Sequence, residues 1–325
     1  MIKGHGDDAY QYPFIKTDFS SNICSGMNHQ LLMAYLATHP EFISHYPEPE
    51  AWTLEWMIAE KYGLLPEEVI VTNGATDAIY LIAQAFPVHT DIPRPTFSEY
   101  EDACRMFPRT AEKFRMLWLC NPNNPTGDVY DQSIIDKMAA TYNFVVIDQS
   151  YECYTNHFIM PPHQAVRLEN VIQIHSFTKT YGIPGLRLGY ITAHSSLTNH
   201  IRQFLRPWSV SSLAIQAGKF LICNDEQRCQ PDLNEALRLR EKLQEIDGIM
   251  TQETKTNFML CQFTEAGNKA ADLKDYLARQ HHLLIRDASN FRGLTERHFR
   301  VAAQRPEENN ELVEAIYQYM REKNG

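Results

Sequence analysis

The chain carries a lysine where an ammonium group is costly to hide. Lys179 lies in SFTKTYGIPGLRLGY, residues 176–190, directly after VIQIH, which reads as an apolar strand. Such a lysine is either an ordinary surface residue at a strand end or an amine held in a pocket to do chemistry. Ser176 and Arg187 stand on either side of it. Upstream, Asp148 ends the apolar run FVVID, with Tyr151 three residues on. A carboxylate in that place either caps a helix or pairs with a buried cation. Gly74-Ala75-Thr76 follows VIVTN and opens a helical pattern. Its amides and the Thr76 hydroxyl can hold a phosphate, and a plain helix cap reads the same way. Asn121–Gly127, NPNNPTG, is a rigid turn after MLWLC, of a kind that is commonly structural. Neither GxxxxGK[ST] nor GxGxxG occurs, HExxH is absent, and the 13 histidines fall into no metal-ligand spacing.

These polar groups need a scaffold, and the apolar pattern supplies one. Short apolar runs alternate with helical periodicity through the first two-thirds of the chain, as in EEVIVTNGATDAIYLIAQAF. Near-continuous apolar strands between helices imply an α/β sheet covered on both faces, mostly parallel. GLRLGYIT reads as one more strand. In open sheets of this kind, sites gather beyond the carboxyl ends of the strands, where the clusters above all fall. After about residue 222 the texture becomes α+β: PDLNEALRLREKLQEI is a charged amphipathic helix, TNFMLCQF and HFRVAA are strands, and a last helix opens at Pro306 with Glu307 and Glu308. The organisation expected is an N-terminal segment, 1–35, joining a small domain; a large domain, 36–222; and the small α+β domain, 223–325.

With 325 residues the chain can bury a sizeable core. A formal charge of −10 and the lack of any basic stripe argue against nucleic acid as the main partner. No run is long and apolar enough for a membrane span or a signal peptide core. Seven cysteines without CxxC pairs suit reduced thiols, so a cytoplasmic protein without a disulfide frame or zinc site is expected.

Taken together and in order, NGATDAI, PTFSEY, NPNNPTG, DQSY and SFTK…GLRLGY resemble the fold-type-I pyridoxal-5′-phosphate (PLP) enzymes of the aspartate aminotransferase superfamily, over nearly the whole chain. The resemblance implies a large domain built on a mostly parallel sheet of the seven-stranded type. It implies that Lys179 bonds covalently to the PLP aldehyde. Arg187 and Ser176 then grip the cofactor phosphate, with Gly74, Ala75 and Thr76 at the helix start. Asp148 faces the pyridine nitrogen, Tyr151 and Asn124 bond the phenolic oxygen, and Phe97 stacks on the ring. Tyr46 of HYPEPE matches a tyrosine that reaches the neighbouring subunit's site, implying a homodimer. Arg300 matches the substrate-anion arginine, with Arg286 as a second candidate.

Flanking stretches resemble two branches of that superfamily, the L-threonine-O-3-phosphate decarboxylases of cobalamin synthesis and the histidinol-phosphate aminotransferases. LLIRDASNFRGLTERHFRV and the N-terminal KGHGDD favour the decarboxylases, and His5 and Gly6 in the latter then join the substrate site. Both branches imply a small phosphorylated amine or amino acid as substrate. One departure stands out: between PTFSEY and NPNNPTG the chain is short, so a strand and turn of the large sheet are expected to be missing or compressed.

Overall fold

The computed structural model describes residues 8–24, 26–107 and 111–324. Its strands are β1 (Thr17–Asp18), β2 (Val69–Thr72), β3 (Val88–Asp91), β4 (Ala111–Cys120), β5 (Phe144–Asp148), β6 (Val171–Ser176), β7 (Gly189–Ala193), β8 (Ile249–Thr251), β9 (Phe258–Phe263), β10 (Leu283–Leu284), β11 (Arg286–Asp287) and β12 (His298–Ala302).

The large sheet has the order β2-β7-β6-β5-β4-β3. The neighbours from β3 to β6 run parallel, and β7 lies antiparallel between β6 and β2. Every residue of β2, β6 and β7 is buried, the polar Gln173 and His175 of β6 included, as suits strands covered on both faces. The pleat divides the core. Met116, Trp118 and Cys120 of β4 join Ile70, Ile172 and Ile191 against the helix Gly74–Ala85 on one face. Leu117 and Leu119 pack with Val145, Ile147 and Ile135 on the other face, the last from the helix Gln132–Thr141.

The sheet has six strands among the described residues, fewer than the seven of the expected type. The helix Glu99–Met106 and β4 are adjacent elements in the chain, with four positions between them. The short stretch noted in the sequence thus goes with a sheet of six strands among the described residues, in which β3 is the edge next to β4. The ends of β5 and β6, in the middle of the sheet, are intact. A second correction concerns GLRLGYIT, where only Gly189–Ala193 is strand. Pro184–Leu186 form a 3-10 turn and Arg187 takes a left-handed conformation, φ 53°, which turns its side chain back toward the sheet edge instead of along a strand.

The second sheet is antiparallel, ordered β11-β12-β9-β8, and packs on the helices Leu233–Gln244 and Pro306–Asn324. Phe19 is fully buried in this core, and β1 pairs in parallel with β10, so the N-terminal segment is built into the smaller layer. Beyond β1 the same segment crosses to the carboxyl edge of the large sheet.

Candidate active site

The carboxyl ends of β2, β4, β5 and β6 and the start of β7 meet at one edge, because β7 runs opposite to the others. A cavity of about 250 Å³ opens there, roofed by Arg286, Phe291 and Arg300 of the smaller layer.

Lys179 projects into it from the short helix Phe177–Thr180 that ends β6. Its Nζ donates to the Ser21 carbonyl at 2.6 Å and lies 5.8 Å from the Tyr151 ring centroid. The surface-lysine reading is thereby excluded. Asp148 is 4% exposed at the end of β5. Its Oδ1 accepts from the Ser150 amide at 2.9 Å and its Oδ2 from the Tyr100 hydroxyl at 2.7 Å. Burial pushes this carboxyl above its ordinary value, opposed by those hydrogen bonds and by His175. Tyr151, also buried, is pushed up to about 12 by burial, with Arg300 opposing.

At the opposite end, Ala75, Thr76, Ser176 and Arg187 line the cavity together. Gly74 opens the helix Gly74–Ala85 with φ +84°, and a Cβ there would come within 2.7 Å of Arg187 Nη2. A side chain on Gly189 would meet the Ala75 nitrogen at 2.8 Å. These two glycines let the guanidinium and the helix start share one corner. The first amides of a helix have no intrahelical acceptor, so this corner presents N–H, hydroxyl and guanidinium donors to an anion.

The NPNNPTG turn is both structural and part of the site. Asn123 accepts from Thr96 Oγ1 at 2.8 Å and donates to the Pro95 carbonyl at 3.0 Å, which braces the turn. Asn124, next to it, faces the cavity and accepts from Arg300 Nη1. Arg300 Nη2 donates to the Ser20 carbonyl, while its buried Nε has no partner among the described residues. Arg286 donates to Asn290 Oδ1 at 2.6 Å, and its guanidinium lies 5.4 Å from the Phe291 ring centroid. Burial and the neighbouring Arg300 push Arg286 down to about 10, which leaves it charged at neutral pH.

Phe97 lines the same cavity, edge-on to Tyr100. Tyr46 does not: it is 87% exposed, beside the ring of Trp208 at 5.6 Å. His5 and Gly6 lie outside the described residues. Sequence reading missed Ser20, Ser21 and Ile23 as cavity wall, Tyr100 as the partner of Asp148, and Asn290 and Phe291 as supports of Arg286. DFSSNI, PTFSEY and RDASNF held these residues in plain view, but no local pattern tells which side chains turn inward. All seven cysteines are free thiols.

An amine, a buried carboxylate some way from it and an anion corner built on two glycines are the donor set that a phosphorylated pyridine aldehyde requires. The residues present fit PLP. The fold and this edge define a PLP-dependent enzyme of the mixed α/β type. The chain belongs to the class I and II aminotransferase family, whose profile matches residues 107–316.

Particular relatives narrow this further. A putative threonine-phosphate decarboxylase of Caldanaerobacter subterraneus subsp. tengcongensis is 32% identical over 96% of this chain and 92% of its own. The crystal structure of L-threonine-O-3-phosphate decarboxylase from Porphyromonas gingivalis superposes with a TM-score of 0.89 at 34% identity, covering 94% of this chain and 99% of that one. A histidinol-phosphate aminotransferase of Thermoanaerobacter sp. is 28% identical over 84% of both chains.

Proposed function

We propose that this protein is a PLP-dependent decarboxylase that converts L-threonine O-3-phosphate to (R)-1-amino-2-propanol O-2-phosphate and CO₂, a step of cobalamin synthesis. The observation that carries the reading is the pair Arg286 and Arg300, two buried guanidiniums roofing a cavity whose floor holds Lys179 and Asp148. A substrate with a carboxylate and a phosphate at opposite ends suits two such cations. The 32% and 34% identities to threonine-phosphate decarboxylases support the same choice.

When bound, PLP supplies an aldehyde that takes up an amine and a ring that draws electrons from the carbon bearing it. Lys179 would hold the cofactor through its amine and is placed to deliver a proton to the substrate's α-carbon. Asp148 would hold a proton at the ring nitrogen. Arg187, Ser176 and the Gly74–Thr76 amides bind the cofactor phosphate, Tyr151 and Asn124 its ring oxygen, and Phe97 its face. Arg300 and Arg286 would bind the two substrate anions and so set which group at the substrate's α-carbon is presented for reaction. His5 and Gly6 are assigned to the substrate phosphate by resemblance alone.

In this reading the large unit spans 36–222 and the small one 223–325 with the segment 1–35. The working form is a homodimer in the cytoplasm, with Tyr46 completing the partner's cofactor site. The exposed side chains of Ile43, Tyr46 and Trp208 support an interface on that face. The formal charge of −10 argues against nucleic acid as the main partner, and no helix among the described residues is long and apolar enough to cross a bilayer.

The test is incubation of PLP-loaded protein with L-threonine O-3-phosphate and no keto acid. CO₂ release is the expected result. Turnover of histidinol phosphate only when 2-oxoglutarate is added would replace this reading with the aminotransferase, which the 28% identical relative favours.

A further inference from the structure

Asp148 is served by a residue with no role so far. Tyr100 sits on the helix Glu99–Met106, fully buried, its ring stacked on Trp118 with centroids 5.4 Å apart and its edge against Phe97. Its hydroxyl donates to Asp148 Oδ2 at 2.7 Å, on the oxygen that the Ser150 amide leaves open. We propose that Tyr100 is a positioning residue for the reaction: its phenol keeps the buried Asp148 carboxylate ionised and fixes its orientation, and through it governs the proton at the cofactor's ring nitrogen. This rests on the PLP reading above.

The physical argument is one of competition. A carboxylate sealed from water favours its neutral form, and a neutral acid cannot hold a proton on a pyridine. A hydrogen bond from a hydroxyl stabilises the charged form and leaves the neutral form without equal benefit. The other groups facing this pair are His175 from β6, the Cys120 thiol from β4, Tyr151 and Ser150 after β5, and Lys179 across the cavity. His175 acts in the same sense as Tyr100 on Asp148, but its imidazole already bonds Glu152 and Thr192. Cys120 directs its thiol to the Pro122 carbonyl. Ser150 supports the carboxylate with its side chain as well as its amide, and Tyr100 adds a hydroxyl donor on Oδ2 from a separate element. Burial and the Asp148 charge push the phenol well above its ordinary value, so its proton remains available to donate at any working pH.

Removing the hydroxyl makes Asp148 more basic, so it draws the proton from the ring nitrogen and the ring withdraws electrons less strongly. The experiment compares wild type, Y100F, D148N and the double variant after loading with PLP. Borohydride trapping at Lys179 scores occupancy. The visible absorbance of the lysine-bound cofactor is then followed against pH. Y100F is expected to load fully, to move the absorbance midpoint upward by about one unit, and to lower kcat roughly tenfold with KM little changed. In the D148N background, Y100F is expected to have no further effect on the midpoint. A loaded Y100F protein with an unmoved midpoint would overturn the inference, as would an equal shift in the D148N background, which would assign the effect to packing. If Y100F does not fold, 3-fluorotyrosine at position 100, a stronger donor of nearly the same shape, is expected to move the midpoint downward, and no movement overturns the proposal. Wild-type protein that traps no cofactor at Lys179 would instead sink the underlying PLP reading.

Discussion

Arg286 and Arg300 are register partners on the antiparallel strands β11 and β12, and among the described residues neither forms an ion pair with a carboxylate. Two buried like charges on facing strands raise each other's energy, as the lowering of Arg286 by Arg300 reflects. Such a pair persists where an anion relieves it. Arginine-to-lysine substitution removes the planar fork while keeping charge. R300K is expected to cost roughly 1.5–3 kcal/mol of transition-state binding, about ten- to a hundredfold in kcat/KM. R286K is expected to raise KM for the phosphorylated substrate more than it lowers kcat. Steady-state kinetics on the two variants checks both, and unchanged constants would remove these residues from the substrate site.

Covalent attachment can be read without turnover. Borohydride reduction of the loaded protein is expected to leave the cofactor on the peptide containing Lys179, detected by mass spectrometry. K179A should lose that adduct while retaining some cofactor through its phosphate corner.

His298 precedes Arg300 by two residues on β12, and burial, aided by the Arg297 charge, holds it below its ordinary value. The unfolded chain therefore takes up this proton first as pH falls. Above the unfolded value of about 6.5 both states are neutral and there is no penalty. Below it, stability declines until the folded histidine also titrates. Thermal melts are expected to show a drop in Tm from pH 7 toward 5.5 that is smaller in H298Q. An identical slope in the variant would discount the assignment.

Phe258 couples the two layers. It is fully buried on β9, lies edge-on to Tyr151 at 5.0 Å, and has the Arg300 guanidinium 5.8 Å from its ring centroid. F258A is expected to cost about 3–5 kcal/mol in stability by leaving a cavity, whereas F258L should fold with a smaller loss and a raised KM. Denaturant titration and kinetics separate the two effects.

Tyr46 offers a test between subunits. Mixed K179A and Y46A proteins, each nearly inactive alone, are expected to recover activity on exchange, because one site of the heterodimer then has both residues. Failure to recover activity in heterodimers verified by mass would place Tyr46 outside the partner's site.

Much of the site was legible from sequence because its residues sit at fixed offsets from apolar strands. Asp148 closes β5, Ser176 closes β6, Lys179 follows three residues later, and Gly74 starts a helix after β2. Strand periodicity and turn chemistry are local properties, so the ends of elements could be read in one dimension. The extent of β7 could not. Arg187 has a positive φ as it closes the turn Pro184–Leu186, and its guanidinium passes close over Gly74, a contact across 113 positions that no local propensity records.

By itself, then, the sequence determined the alternation of strands and helices and which polar groups stand at the ends of β2, β5 and β6. Tertiary packing alone decided that Tyr100 would meet Asp148, that Ser20 and Ser21 would arrive beneath Arg300 and Lys179, and that Arg286 would face Arg300. The physical reason is that side-chain periodicity assigns a residue to a face, whereas the partner on that face is chosen by the close packing of segments far apart in the chain, here by as many as 280 residues.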